Sequence, residues 1–445
     1  MSIAISIIAV VIVLGILSTA HELGHFFVAR ALKVKAYEVA IFMGPALFKW
    51  KKNDIDYSIR CLPIGAYVRF TEIDNEGMPV ESDDPTLLVN QPRWKRLIIA
   101  IAGPLVNLFL GILIFAIFFV CAGYTSREIK EAPEDTQLYA QEYEPGDEVV
   151  AVNGRRVYTF FELNVSFYFI NEDEVCTLTF KSQKTGKEYD ITLTPELKTY
   201  PVMHVSDVTI DDHGWYIGNV GEEQNDDNPI LKAGDYILTI DGYEAADYDT
   251  VLPYLQSKEV GDVISITYER DGETHEGEIK LGGSESYNYR GLSFVEHKVR
   301  SGKEFLGALG NAFKMPITIL RLTQLVIKNA ISGDIKIYQV VSGPVGVVNV
   351  VDTVVSNQHV DVWGKLVDLV TLSGMISIAL TISNLLPLPG LDGSQIIILF
   401  VEMVIGRKLP KKAEDIITVV GFFVLIILVL LAFASDIAKI VIEGW

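Results

Sequence analysis

Cysteine is scarce in this chain. Cys61, Cys121 and Cys176 are the three in 445 residues, and their spacing offers neither a disulfide framework nor a thiolate zinc site. Lysine and arginine are missing before the first long apolar run, which begins at Ile3. Without a basic leading region, Ser18-Thr19-Ala20 reads as part of a retained helix and not as a signal-peptide cleavage site. Positive charge is also thin across residues 127–300, where 36 acidic residues stand against 15 basic ones, while the remainder carries 21 and 22. With a net charge of −20, the chain has no surplus of cations to neutralise phosphates, so nucleic acid is not an expected partner.

Apolar residues, by contrast, are abundant. A hydrophobic fraction of 49% and a mean hydropathy of +0.30 exceed what a soluble domain of this size carries. Residues 3–32, 97–123, 366–388 and 416–433 each have the roughly 20 apolar residues that a bilayer crossing needs. The connection between the first two runs holds ten basic residues from Lys33 to Arg96, and the last connection holds Arg407, Lys408, Lys411 and Lys412. The positive-inside rule puts both in the cytoplasm, leaving the acidic segment and both termini outside.

That acidic segment repeats itself. EPGDEVVAVNG at 144–154 matches KAGDYILTIDG at 232–242, and the blocks from Val175 and Val263 match at the same offset of 88 residues. One offset shared by two separated blocks indicates tandem modules. Each copy reads as a Gly-Asp turn, an alternating strand, an Asn-Gly or Asp-Gly turn, a helical stretch and a polar hairpin. The blandest account is a pair of rigid β spacers. A further stretch, residues 304–332, has apolar residues at helical spacing and reads as an amphipathic helix.

Ionisable residues sit where the composition least favours them. HELGH at 21–25 follows directly on the first apolar run. On a helix, His21 and His25 share a face, so two imidazole nitrogens can reach one metal ion, with Glu22 beside them as general base toward a zinc-bound water. Both histidines can also be hydrogen-bonded core residues, but at membrane depth they need partners, and a divalent cation supplies one. Two ligands and a water leave tetrahedral zinc one protein ligand short. By the charge-based orientation, His204, His213, His275, His297 and His359 lie outside. Asp392, in SNLLPLPGLDGSQ at 383–395, is the best-placed candidate, because Pro387, Pro389 and Gly390 interrupt the third apolar run just before it on the cytoplasmic side. It can also be read as a helix N-cap after an interfacial turn.

Taken together, HELGH at 21–25, AGPLVN at 102–107, the run from Asn384 to Gly393, SGPVG at 342–346 and the paired repeats closely resemble the site-2 protease family of intramembrane zinc metalloproteases, in its bacterial RseP-type branch. The repeats resemble circularly permuted PDZ domains. The resemblance implies a polytopic α-helical membrane protein with four transmembrane helices and inserted β-rich tandem PDZ-like domains. Its expected parts are an N-terminal membrane half at 1–123, PDZ-like domains at 127–215 and 216–299, and a C-terminal membrane half at 300–445. It implies Zn2+ held by His21, His25 and Asp392, Glu22 as the base, and Asn384, Pro387 and Pro389 near the substrate, with Gly103, Pro104 and Asn107 shaping the second span. Residues 36–70 would form a β element dipping into the membrane. Expected substrates are single-span membrane proteins already shortened by another protease, among them anti-sigma factors and remnant signal peptides, in the bacterial inner membrane. Departures from the family pattern are Ala379, Ser394-Gln395 after the ligand, and IFMGP around residue 44. A PDZ-bearing membrane scaffold with a non-catalytic zinc site is the alternative; it would want a fourth protein ligand, and the sequence offers no obvious one.

Overall fold

The computed structural model describes residues 2–72, 80, 82–130, 138, 143–171, 173–195, 197–211, 213–221, 224–225, 228–287, 292–333, 335–356 and 362–443. His359 lies outside them. In chain order the elements are α1 (Ser2–Ala31), β1 (Glu38–Lys52), β2 (Ile55–Arg69), α2 (Arg93–Ala122), β3 (Tyr124–Ile129), β4 (Glu148–Val152), β5 (Arg155–Arg156), α3 (Phe160–Tyr168), β6 (Cys176–Lys181), β7 (Glu188–Leu193), β8 (Leu197–Val202), β9 (Val205–Asp211), β10 (Gly214–Val220), β11 (Tyr236–Ile240), β12 (Tyr243–Glu244), α4 (Tyr248–Gln256), β13 (Val263–Arg270), β14 (Glu273–Lys280), β15 (Gly282–Tyr287), β16 (Phe294–His297), α5 (Gly302–Ser332), α6 (Ile337–Val340), α7 (Pro344–Ser356), α8 (Val362–Asn384), α9 (Asp392–Ile405) and α10 (Lys411–Glu443). They fall into two units, Met1–Tyr124 with Glu296–Trp445, and Thr125–Val295.

The first unit is helical. Four helices, Ile3–Ala31, Arg93–Ala122, Val362–Asn384 and Ile416–Ile442, are long and apolar enough to cross a membrane. Their outward faces keep large apolar side chains exposed, such as Ile8 and Ile12 on α1 and Phe423, Ile427 and Leu430 on α10. Small residues set the close contacts: a side chain at Gly24 would press on the Ala102 carbonyl and Val106, which fixes where α1 crosses α2. α5 opens with a capping box between Ser301 and Glu304 and buries Ala312 and Met315 against Phe115 of α2 and Ile378 of α8. The third helix stops at Asn384, four residues earlier than its apolar run, because Pro387 and Pro389 cannot continue it and Gly390 turns at a φ of 91°.

Beyond α8 the chain folds back tightly. A Cβ on Gly393 would overlap the Leu385 and Leu386 backbone, so glycine there lets α9 start against the end of α8. The C-terminal helix carries its own polar anchor. Asp436, 1% exposed, accepts N–H bonds from Gly343 at 2.8 Å and Val345 at 3.0 Å, while Lys439 donates to the Ser342 hydroxyl at 2.8 Å. A buried carboxylate without such donors would cost several kcal/mol, so these bonds fasten the SGPVG loop to α10.

β1 and β2 form a curled antiparallel hairpin in which residues 38–41 pair with both ends of β2. Glu38 holds the curl, accepting from Arg60 at 2.6 Å, Tyr67 at 2.9 Å and Arg69 at 3.2 Å. Burial alone would push the Glu38 carboxyl up, but these donors outweigh it and hold it below the usual carboxylate range.

In the second unit, one sheet runs β16-β3-β4-β6-β7 and another β14-β13-β11-β10-β9. Each encloses its own core, Val149, Leu163, Leu178 and Phe180 in one and Ile217, Ile237, Val251 and Ile264 in the other. Both copies follow the order strand, tight turn, short helix and hairpin that the repeat pattern implies. The second sheet already includes β9 and β10, so it starts at Val205 and not at the expected boundary of 216, and β16 returns to the first sheet. Sequence identity between the copies marks only their shared centre, and the strands that complete each sheet lie outside it.

Candidate metal centre

The last third of α1 carries His21, Glu22 and His25, placed there by an uninterrupted apolar helix. Both histidines are 8% exposed, their rings meeting edge to face at a centroid distance of 4.8 Å. Asp392, at the first position of α9, points its Oδ2 at His21 Nε2, 3.0 Å away, and at His25 Nε2, 3.3 Å away. The two Nε2 atoms are 3.2 Å apart. Zinc with bonds of about 2.0–2.1 Å in tetrahedral geometry separates its ligand atoms by about 3.3 Å, so the three donors present fit such an ion. They form a set of three within 4.8 Å of one another.

The surroundings orient this set. His25 Nδ1 donates to the Ile99 carbonyl at 2.7 Å, which fixes the tautomer that leaves Nε2 free to ligate. His21 Nδ1 lies 3.4 Å from the side-chain nitrogen of Asn384. Glu22 stays off the ligand set, and its Oε2 accepts the Val68 backbone N–H of β2 at 3.1 Å. Gly103 forms the floor: a Cβ there would overlap His25 Nε2 and crowd the His21 ring. Pro104 sits in α2, and its carbonyl accepts the Thr381 hydroxyl at 3.2 Å, while the Asn107 carbonyl accepts that of Ser377 at 2.7 Å. The Asn107 side chain is buried, and its amide has no hydrogen-bond partner among the described residues. Pro387 precedes the turn into α9, and Pro389 packs against Gly421 of α10.

Beside the donors lies a cavity of about 280 Å³, lined by Glu22, His25 and Asp392 and by residues of β2, α2 and α9. The Ile99 carbonyl, the Val68 N–H and the hydroxyls of Ser377 and Thr381 are the contacts that sequence reasoning missed. The first two are backbone groups with no residue-type signal, and the hydroxyls look like ordinary helix serines and threonines.

The sequence profile of Peptidase family M50 matches residues 9–428. The chain belongs to this family. It is therefore an enzyme, a zinc metallopeptidase of the site-2 type, with Zn2+ as its cofactor. A Vibrio cholerae serotype O1 protein provisionally named a zinc metalloprotease is 26% identical, the match covering 97% of this chain and 98% of that protein. The regulator of sigma-W protease RasP of Bacillus subtilis is 23% identical, over 98% of this chain and 99% of its own length. The PDZ domain of an SdrC-like protein from Listeria monocytogenes, a solved structure, is 26% identical over 20% of this chain and 94% of that one, at a TM-score of 0.15.

For this M50 chain, Gly103→Ala is a sensitive probe of the donor set. Alanine favours a helix over glycine by about 1 kcal/mol, so helix stability alone predicts no loss. Overlap of the new methyl with both imidazoles predicts zinc affinity lower by about 10–100-fold. Competition with a chromophoric chelator measures it.

Proposed function

We propose that this peptidase cleaves single-span membrane proteins within the bilayer, with His21, His25 and Asp392 as the protein ligands of Zn2+ and Glu22 as general base. The observation that carries the reading is the convergence of one Asp392 oxygen on both histidine Nε2 atoms from the far end of the chain. Zn2+ held there supplies a Lewis acid for the scissile carbonyl and acidifies a water. Glu22 takes the proton of the attacking water and delivers it to the leaving amide nitrogen, so the C–N bond breaks to a carboxylate and an amine. The Asn384 amide stands beside His21, where it can hold a substrate carbonyl. Pro387 and Pro389 keep the adjacent backbone out of helix, open to an extended peptide.

A helical substrate shields its peptide bonds, so cleavage requires unwinding, and the edge of the β1–β2 hairpin offers replacement hydrogen bonds. In this reading residues 1–123 and 300–445 form the membrane halves in a bacterial inner membrane, with termini and acidic modules outside and the zinc toward the cytoplasm. The two modules, the second beginning at Val205 and not at 216, act as PDZ-like domains. An apolar groove of about 580 Å³ between α4 and β9, lined by Val205, Val208, Ile210, Trp215, Leu252 and Leu255, supports this for the second. Substrates are proteins already shortened outside by another protease, anti-sigma factors and remnant signal peptides being the classes the family resemblance suggests.

The test uses purified full-length protein in detergent with a model single-span substrate. Cleavage is expected inside the apolar segment, stopped by a chelator and restored by added Zn2+. A cut confined to residues outside that segment, or one indifferent to the chelator, would sink the reading.

A further inference from the structure

Basic residues crowd the start of α2, and all but one of those facing inward are paired. Arg93 meets Glu402 at 3.4 Å, and Lys95 donates to the Gln91 side chain at 3.1 Å. Arg96 is half-buried, lines the cavity that holds Glu22, His25 and Asp392, and forms no side-chain hydrogen bond or ion pair with any described residue. The remaining wall is apolar or neutral, with Val68, Phe70, Leu88 and Ile99 beside Thr71 and Gln395. A guanidinium keeps its charge at every accessible pH and carries five donors. Half-buried with no acceptor among the described residues, it is a contact that a bound anion would complete.

Helix geometry locates it relative to the cut. Residues 96, 99, 100 and 103 lie on one face of α2, and Gly103 touches the imidazoles while the Ile99 carbonyl holds His25. Seven positions along a helix span about 10 Å, which an extended peptide covers in about three residues. We propose that Arg96 is a specificity-determining residue that takes an acidic side chain of the substrate about three residues from the scissile bond, on the side facing the start of α2. This rests on the protease reading above. A lysine or arginine at that substrate position would meet a like charge in a confined space.

The experiment scans a single-span substrate with Asp, Asn or Lys at the second to fourth residue on each side of the cut. Wild type, Arg96→Gln and Arg96→Glu are compared, and ratios are taken within each variant so that differences in yield or folding cancel. The wild type is expected to cleave the Asp substrate at least about tenfold faster than the Lys substrate at one of these positions. Arg96→Gln brings that ratio near one, and Arg96→Glu inverts it. A wild-type ratio near one at every position, as for an arginine that holds a lipid phosphate instead, overturns the proposal. So does a ratio that stays the same in all three proteins. If zinc-loaded wild type cuts none of the substrates, including the Asn series, the protease reading falls and takes this one with it.

Discussion

Glu22→Gln is expected to keep its zinc and lose its cleavage. The side chain is not one of the three convergent donors, and glutamine preserves its shape and the oxygen that accepts the Val68 N–H. What it removes is a group able to accept a proton from water. General-base assistance contributes about 10²–10⁴-fold, so single-turnover cleavage of a single-span substrate should fall by at least that range. Zinc content per chain, measured on the same preparation, should stay at the wild-type level. Cleavage at the wild-type rate would remove Glu22 from the role of base, and joint loss of metal and activity would place it among the ligands instead.

Asp392→Ala separates two accounts of one carboxylate. As a helix-start residue, Asp392 would contribute about 0.3–1 kcal/mol through the favourable end of the α9 dipole, and its removal would leave zinc binding alone. As a ligand it carries its share of a binding energy that reaches about 10–16 kcal/mol for four-ligand zinc sites, so its loss weakens zinc by about 100- to 1,000-fold. Equilibrium dialysis against buffered zinc distinguishes the two. Unchanged affinity, with a small loss of thermal stability, would leave Asp392 as a first-turn residue of α9, whose cap is Leu391.

Much of this architecture was legible from residue patterns. Four apolar runs gave four long helices, since a 20-residue run without charge has few alternatives. The 88-residue offset pointed to two small modules, and each has its own core. HELGH put two imidazoles on one face because helical spacing alone does so. Asp392 was marked by the prolines before it. What stayed hidden was whatever depends on backbone atoms or on partners distant in sequence. Nothing in AGPLVN says that Ile99, just ahead of it, lends its carbonyl to His25. Nothing in the repeated blocks says that β10 pairs with β11, where Trp215 sits opposite Ile237, or that β9 extends the same sheet beyond it. Asp436 and Lys439 looked like stray charges at the end of the last apolar run, and their role as a fastening for residues 342–345 needed three dimensions.

The hydrogen bond from Val68 to Glu22 has a consequence for how such an enzyme can change over time. The carboxylate is aimed by the amide of Val68, a hairpin residue 46 positions further along the chain than Glu22. With Glu22 as the proposed base, drift in the curl of that hairpin, through Glu38 or its arginine clasps, would retune turnover while the signature pentapeptide stayed letter-perfect. Two chains with identical HELGH segments need not be equally quick.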